Sequence, residues 1–133
     1  MSRLSQKHLI GLENTTKNDI QSIIDTGFTF REILERPIKK VPSLTGINIV
    51  NLFFENSTRT KISFELAEKR LSADITNFSA SSSSLKKGES LKDTIQNIYA
   101  MKMDAVIMRH PVPGSALQLV KYVDAVVINA GDG

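Results

Sequence analysis

The chain has 133 residues, of which 41% are hydrophobic and 23% charged, and it contains no cysteine. These values are typical of one globular domain and exclude a disordered chain, a disulfide scaffold and a cysteine-ligated metal site. Lys and Arg number 17 against 14 Asp and Glu, and the resulting net charge of +3 is too mild to indicate a nucleic-acid partner. No apolar run has the length of a signal peptide or a membrane span, so we expect no membrane partner and a cytoplasmic location.

The first third of the chain predicts an irregular segment, a helix and a loop. Thr16 followed by Asp19 is typical of a helix N-cap with an acid in the first turn. The helix is expected to end before Pro37, and Pro42 and Gly46 bracket a loop. The apolar residues that recur at helical spacing are Ile20, Ile23, Ile24, Ile33 and Leu34.

From residue 47 onward, strand patterns and helix patterns alternate. Ile47–Phe54 is a nearly unbroken apolar run, which predicts a buried parallel strand. Three further strands are predicted over Ala73–Phe78, Asp104–Arg109 and Asp124–Asn129. This alternation predicts an α/β fold, with an open parallel sheet flanked by helices in a three-layer αβα domain.

The intervals between the strands carry the helices. The first follows residue 60, and its inward residues are expected to include Ile62, Leu66 and Leu71. The second opens at Ser90, where Asp93 completes a capping box, and the third is short and follows Pro113. The segment before residue 90 is rich in Ser and Lys without periodicity, and it predicts a loop.

Polar and cationic residues follow the predicted strands, at the sheet edge where open α/β sheets bind ligands. Ser57, Thr58, Arg59 and Thr60 lie where the first strand gives way to a helix. Free N–H groups at a helix N-terminus, hydroxyl donors and a guanidinium together suit a bound phosphate. Ser and Thr are also the ordinary N-cap residues, so these positions have a purely structural alternative.

The motif Phe53–Glu65 (FFENSTRTKISFE) closely resembles the carbamoyl-phosphate signature of the transcarbamylase family. In place of the usual Arg after the Ser-Thr-Arg-Thr core, the chain has Lys61, which keeps the charge. The resemblance implies that Ser57, Thr58, Arg59 and Thr60 bind the phosphate, with Thr60 also near the carbamoyl carbonyl.

A second matching motif is Val106–Pro111 (VIMRHP). In the family, its Arg contacts both the phosphate and the carbonyl oxygen, which implies that role for Arg109. An Arg at the end of an apolar strand is also compatible with an ordinary surface salt bridge. We assign no role to His110.

The loop Ser81–Glu89 resembles the aspartate branch of the family, in which a Ser and a Lys enter the active site of a neighbouring subunit. Lys87 matches that Lys because it precedes Gly88 and Glu89, and either Ser83 or Ser84 could match the Ser. By composition alone, this segment is typical of a flexible polar linker.

The resemblance implies an enzyme that transfers the carbamoyl group of carbamoyl phosphate to the amino group of L-aspartate in pyrimidine biosynthesis. Arg59, Thr60 and Arg109 would be its catalytic residues, with no metal or organic cofactor. The intact enzyme would be a homotrimer with shared sites, and a regulatory chain cannot be inferred from the sequence.

Residues 1–133 are expected to form the carbamoyl-phosphate-binding domain of a longer protein. The family's next motif, its aspartate-binding second domain and a final helix that packs on the first domain are not in the chain. We therefore expect the chain alone to be inactive, with an apolar patch where that helix would pack. The alternatives are a carbamoyltransferase for ornithine or another amine, a non-catalytic phosphate-binding α/β module, and a purely structural α/β fragment.

Overall fold

The computed structural model describes residues 3–79 and 91–133. The first helix, α1, spans Lys17–Arg31 and continues into a short 3-10 helix, Glu32–Glu35. Thr16 Oγ1 accepts a hydrogen bond of 3.0 Å from the Asp19 amide, and Asp19 Oδ2 accepts one of 3.2 Å from the Thr16 amide. This reciprocal pairing satisfies two of the donors that a helix start leaves open, and it confirms the predicted cap.

Four parallel strands form one sheet in the order β2-β1-β3-β4. The strands are β1 (Asn48–Phe53), β2 (Asp74–Ser79), β3 (Ala105–Arg109) and β4 (Val126–Asn129). All four lie within one or two residues of their predicted bounds. A long apolar run is typical of a strand buried on both faces, and β1 is buried from its second residue to its last.

Helices cover both faces of the sheet, as predicted. Helix α2 (Thr58–Arg70) packs on one face, and α3 (Leu91–Ala100) and α4 (Ser115–Leu119) pack on the other. The core below α3 and α4 includes Val50, Leu52, Ile95, Val106, Met108, Leu119 and Val127. The smaller core below α2 is built around Ile49, Phe53 and Ile107, with Phe64 packed against them.

The prediction for the inward face of α2 was wrong for Ile62 and Leu66, whereas Leu71, at the C-cap, is half-buried. Ile62 and Leu66 are 48% and 43% exposed, whereas Glu68 is buried and Phe64 packs on the sheet. Residues four apart share one face of a helix, so turning Phe64 and Glu68 to the sheet turns Ile62 and Leu66 away from it.

Helix α1 also presents apolar residues to the surface. Of the five apolar residues that predicted it, only Ile33 is buried, and Ile20, Ile23 and Ile24 are exposed. The exposed apolar side chains of α1 and α2 agree with the expected apolar surface, although nothing in the described residues shows what covers it. No helix in residues 3–79 or 91–133 is long and apolar enough to cross a bilayer.

Candidate anion-binding site

The carboxyl ends of β1, β3 and β4 stay side by side beyond the strands themselves. Phe53 pairs with Arg109 in the sheet, and the Phe54 amide donates a 2.8 Å hydrogen bond to the Arg109 carbonyl. On the other side, the His110 amide donates to the Gly131 carbonyl at 2.9 Å. The three polar segments that follow the strands therefore meet at one edge, as the sequence predicts.

Ser57 precedes helix α2 without using its side chain as a cap. Its carbonyl accepts the amide of Lys61 at 3.0 Å, but its hydroxyl donates instead to Thr60 Oγ1, at 2.9 Å. Within the part of the chain that the structure describes, no side chain therefore caps the first amides of α2. Those amides, with the helix dipole behind them, make an N-terminus suited to an anion.

This arrangement separates the two interpretations of the Ser-Thr-Arg-Thr motif. An ordinary N-cap serine would accept a hydrogen bond from the amide two or three residues on. Ser57 does not, while Thr58 and Arg59 are exposed and Ser57 and Thr60 are half-buried around the same helix end. The geometry favours the anion site over the structural alternative.

Arg109 extends from the end of β3 and is held from two sides. Its Nε lies 2.9 Å from Glu55 Oε1, and its Nη1 donates a 2.7 Å hydrogen bond to the Ala130 carbonyl. Successive side chains of a strand alternate between faces, so Arg109 shares the face of Ile107, which is the face of α2. A guanidinium has five N–H groups, so these two contacts leave donors for a ligand.

Glu55 is a site residue to which the sequence interpretation gave no role. Its side chain is 33% exposed and that of Arg109 is 27% exposed, so their ion pair is partly screened by solvent. The pair orients the guanidinium more than it stabilises the fold. Its position two residues after β1, opposite a cation at the end of the neighbouring strand, was the signal that could have revealed it.

Gly131 is the second residue of the site without a predicted role. Its φ is +132°, and a Cβ added there would lie 2.4 Å from Arg109 Nη1 and 3.1 Å from Arg109 Cζ. No side chain larger than hydrogen fits between this backbone and the guanidinium in its present position. Gly131 therefore permits the close approach that lets Arg109 reach the Ala130 carbonyl.

His110 has a structural role in the described residues. Its Nδ1 accepts a 3.0 Å hydrogen bond from the Val112 amide and lies 3.0 Å from Ser115 Oγ, and its ring lies 5.0 Å from that of Phe54. Burial lowers the pKa of His110, and the charge of Glu55 opposes this. Because its Nδ1 accepts a hydrogen bond from the Val112 amide, the His110 ring holds the turn before α4. This structural role agrees with assigning His110 no catalytic role.

Ser83, Ser84 and Lys87 lie outside the described residues, so their predicted part in the site remains a prediction. The described site brings together Ser57 and Thr60 by direct contact, and it places Arg109 at the end of the adjacent strand. No group of three or more His, Asp or Glu residues able to hold a metal ion occurs in residues 3–79 and 91–133.

A parallel α/β sheet with a helix N-terminus and an arginine at its carboxyl edge defines an α/β anion-binding domain. Residues 7–133 match the family described as the carbamoyl-P binding domain of aspartate/ornithine carbamoyltransferase. The chain therefore belongs to this family, as its motifs predict.

Catalytic subunits of aspartate carbamoyltransferase are among the similar proteins. The chain is 62% identical to that of Christiangramia forsetii over 132 residues, and 57% identical to that of Cytophaga hutchinsonii over 133 residues. These matches cover 99% and 100% of the chain but only 43% of each relative. The chain thus spans less than half the length of the relatives it matches.

Solved structures of the family have the same fold. The catalytic subunit of aspartate transcarbamoylase from M. jannaschii superposes with a TM-score of 0.84 at 39% identity, over 96% of this chain and 42% of that subunit. Aspartate transcarbamoylase from Trypanosoma cruzi in complex with phosphate superposes with a TM-score of 0.87 at 31% identity, over 98% of this chain and 40% of that protein.

Proposed function

We propose that residues 1–133 form the carbamoyl-phosphate-binding domain of an aspartate carbamoyltransferase. The intact enzyme would transfer the carbamoyl group of carbamoyl phosphate to the amino group of L-aspartate, in the cytoplasm, as a step of pyrimidine biosynthesis. The observation that carries the proposal is the uncapped N-terminus of α2, where the Ser57 hydroxyl contacts Thr60 and leaves the first amides of the helix to an anion.

In this proposal, the phosphate lies against Ser57, Thr58, Arg59 and Thr60. The amides and hydroxyls donate hydrogen bonds to its oxygens, and the Arg59 guanidinium adds charge. Arg109, held by Glu55 and Ala130, reaches the phosphate and the carbamoyl oxygen from the neighbouring strand. Such a site is arranged before the ligand arrives, so little reorganisation opposes binding.

The same groups would stabilise the transition state. Attack of the deprotonated aspartate amine on the carbamoyl carbon forms a tetrahedral species whose oxygen gains negative charge. Arg59, Thr60 and Arg109 donate to that oxygen, and phosphate then leaves with the electron pair of its bond to carbon and takes up the proton that the attacking nitrogen loses. Donors already aimed at the developing charge lower the barrier without help from a metal or an organic cofactor.

The second substrate and the assembly belong to the same proposal. Lys87 and one of Ser83 or Ser84 would bind aspartate and phosphate in the site of a neighbouring subunit, which fits a closed homotrimer. The names of the relatives in Christiangramia forsetii and Cytophaga hutchinsonii, both aspartate carbamoyltransferase catalytic subunits, support the aspartate acceptor over ornithine.

Calorimetric titration of the 133-residue chain with inorganic phosphate and with carbamoyl phosphate tests the binding half of the proposal. Arg59→Ala should weaken binding of both ligands, whereas Arg31→Ala, a change of the same charge in the last turn of α1, should not. Equal affinities for the Arg59 variant and the unmodified chain would support the purely structural alternative.

A chimera tests the catalytic half. In it, this chain replaces the matching segment of the Christiangramia forsetii subunit, to which it is 62% identical. The chimera should produce carbamoyl aspartate, and aspartate should compete successfully with ornithine as the acceptor. Product from ornithine alone would overturn the aspartate assignment, and phosphate binding without any product would favour the non-catalytic module.

A further inference from the structure

A buried polar pair lies between helix α2 and the sheet, away from the groups that would touch the anion. Asn51 Nδ2, in the middle of β1, donates a 3.0 Å hydrogen bond to Glu68 Oε2, in α2. Asn51 is 1% exposed and Glu68 is 3% exposed. The second Nδ2 hydrogen reaches Asn77 Oδ1 on β2, at 3.1 Å. The hydrophobic residues of the same interface include Ile49, Phe53 and Ile107 on the sheet and Phe64 on α2.

The pair is connected to the anion site through the helix itself. Thr60, Phe64 and Glu68 follow one another at four-residue spacing, so they form one stripe along α2. Eight residues separate Thr60 from Glu68, which places Glu68 about 12 Å along the helix axis from the anion site. Because α2 is one continuous helix, its axial position at Glu68 determines the position of its N-terminus relative to the end of β1.

Apolar contacts alone would define that axial position weakly. The Phe64 ring can slide along the surface formed by Ile49 and Phe53 with little change in buried area, since burial has no direction. A buried hydrogen bond is directional and costly to break, so the Asn51–Glu68 pair favours one register of helix and strand.

We propose that Glu68 is a positioning residue for the anion site: its bond to Asn51 sets the axial position of α2, and its protonation state sets how tightly phosphate is held. The inference rests on the proposed function, because it requires phosphate at the N-terminus of α2.

The two protonation states of Glu68 differ in how well the buried pair is satisfied. Within the described residues, Glu68 Oε1 and Asn51 Oδ1 have no hydrogen-bond partner. Both are acceptors when Glu68 is ionised, whereas a protonated carboxyl brings a donor to the cluster. Protonation thus offers Asn51 Oδ1 a partner, and it also removes a negative charge from the helix that would bind an anion.

Burial raises the pKa of Glu68 to about 7, the hydrogen bond from Asn51 opposes the shift, and the charge of Glu65 adds to it. Among the described residues, Arg109 at the end of β3 also lies on the face of the sheet that α2 covers. Strand β1 and the loop 41–46 contain no ionisable residue, and Asp74 of β2 is an odd number of residues from Asn77 and so lies on the opposite face. On α2 itself, Lys69 and Arg70 follow Glu68.

The test is calorimetric titration of the 133-residue chain with inorganic phosphate at about pH 6 and about pH 8.5, on either side of the Glu68 transition. The readout is the dissociation constant at about pH 8.5 divided by that at about pH 6. The titration of phosphate itself affects this ratio equally in all variants, so it cancels when variants are compared. Glu68→Gln imitates the protonated acid at both pH values. Its ratio should be smaller than that of the unmodified chain by about three- to tenfold, as Coulomb's law gives for one charge at about 12 Å.

Two further variants separate positioning from charge and from folding. Glu65→Gln removes a carboxylate from the same helix but keeps Glu68, and the charge of Glu65 is the smallest of the causes that shift the pKa of Glu68, so its ratio should change by clearly less than that of Glu68→Gln. Glu68→Ala removes the hydrogen bond from Asn51 to Glu68 and should weaken phosphate binding at both pH values. Glu68→Gln keeps an acceptor for Asn51, so it should bind phosphate more tightly than Glu68→Ala does. If the Glu68→Ala variant does not fold, the pH ratio of the Glu68→Gln variant is sufficient to test the role of Glu68.

The outcomes distinguish this inference from the proposed function. Phosphate binding by the unmodified chain, with the same pH ratio in the Glu68→Gln chain, would overturn the role of Glu68 and leave the proposed function intact. A Glu65→Gln ratio that changes as much as that of Glu68→Gln would also overturn it, because a general charge effect would then suffice. No phosphate binding by the unmodified chain would overturn both.

Discussion

Replacement of Gly131 by alanine should separate the stability of the fold from the function of the site. The new Cβ would lie 2.4 Å from Arg109 Nη1, whereas a carbon and a nitrogen in ordinary contact stay about 3.5 Å apart. The guanidinium must therefore move by about 1 Å, and the 2.7 Å hydrogen bond to the Ala130 carbonyl is lost. The end of an arginine side chain moves easily, so the clash itself costs the fold little.

The expected magnitudes follow from the two consequences of the substitution. Alanine at a φ of +132° costs about 1–3 kcal/mol in free energy of unfolding. Misplacing a charged donor costs about 1.5–3 kcal/mol of ligand binding, which weakens phosphate affinity by about 10- to 100-fold. Phosphate titration and urea denaturation measure these two effects separately.

Gly27→Ala is the matched control for this substitution. Gly27 lies inside α1, and no heavy atom lies within 4 Å of a Cβ added there. The control should raise the free energy of unfolding by about 0.5–1 kcal/mol and leave phosphate affinity unchanged. Unchanged phosphate affinity in the Gly131→Ala chain would refute the claim that Gly131 positions Arg109 for the ligand.

The remaining predictions concern the site, the fold and the length of the chain. In the chimera, Arg59→Ala should lower kcat/KM by a factor equivalent to about 3 kcal/mol or more, and near-normal turnover would exclude its catalytic role. Thr16→Ala should lower the free energy of unfolding by about 1 kcal/mol, because it removes the capping bond to the Asp19 amide; urea denaturation at neutral pH would show no change if that bond is unimportant. The contribution of Glu68 to stability should fall as pH rises from about 4.5 to about 7, by at most about 3 kcal/mol, because burial raises the pKa of Glu68 above its value in the unfolded chain. The lowered pKa of His110 acts in the opposite direction, so the readout is the difference in free energy of unfolding between the unmodified and Glu68→Gln chains, which should change over this pH range when denaturation is measured at several pH values. The 133-residue chain alone should show negligible carbamoyl transfer, and turnover comparable to that of a full-length relative would contradict this expectation. It should also bind a hydrophobic dye at the exposed apolar residues of α1 and α2, and a lack of dye binding would contradict that expectation.

The order and type of the elements could be predicted from the sequence because their signals are local. The Thr16–Asp19 cap, the apolar run of β1 and the prolines before α4 each act within a few residues, and each predicted its element correctly. The Ser57–Thr60 motif predicted a helix N-terminus at the carboxyl edge of the sheet for the same reason, since a strand and the helix after it are neighbours both in the chain and in the fold.

The tertiary structure decided what depends on residues far apart in the chain. Ile62 and Leu66 have the spacing of an inward face, yet the sheet meets Phe64 and Glu68, and Asn51 on β1 provides a hydrogen-bond partner for the buried acid. The contacts of Arg109 join residues of three separate segments: Glu55 after β1, Arg109 itself, and Ala130 after β4. Sequence patterns report which face of an element is apolar and where an element ends, but only the packing of the elements determines which polar groups they bring within hydrogen-bond distance.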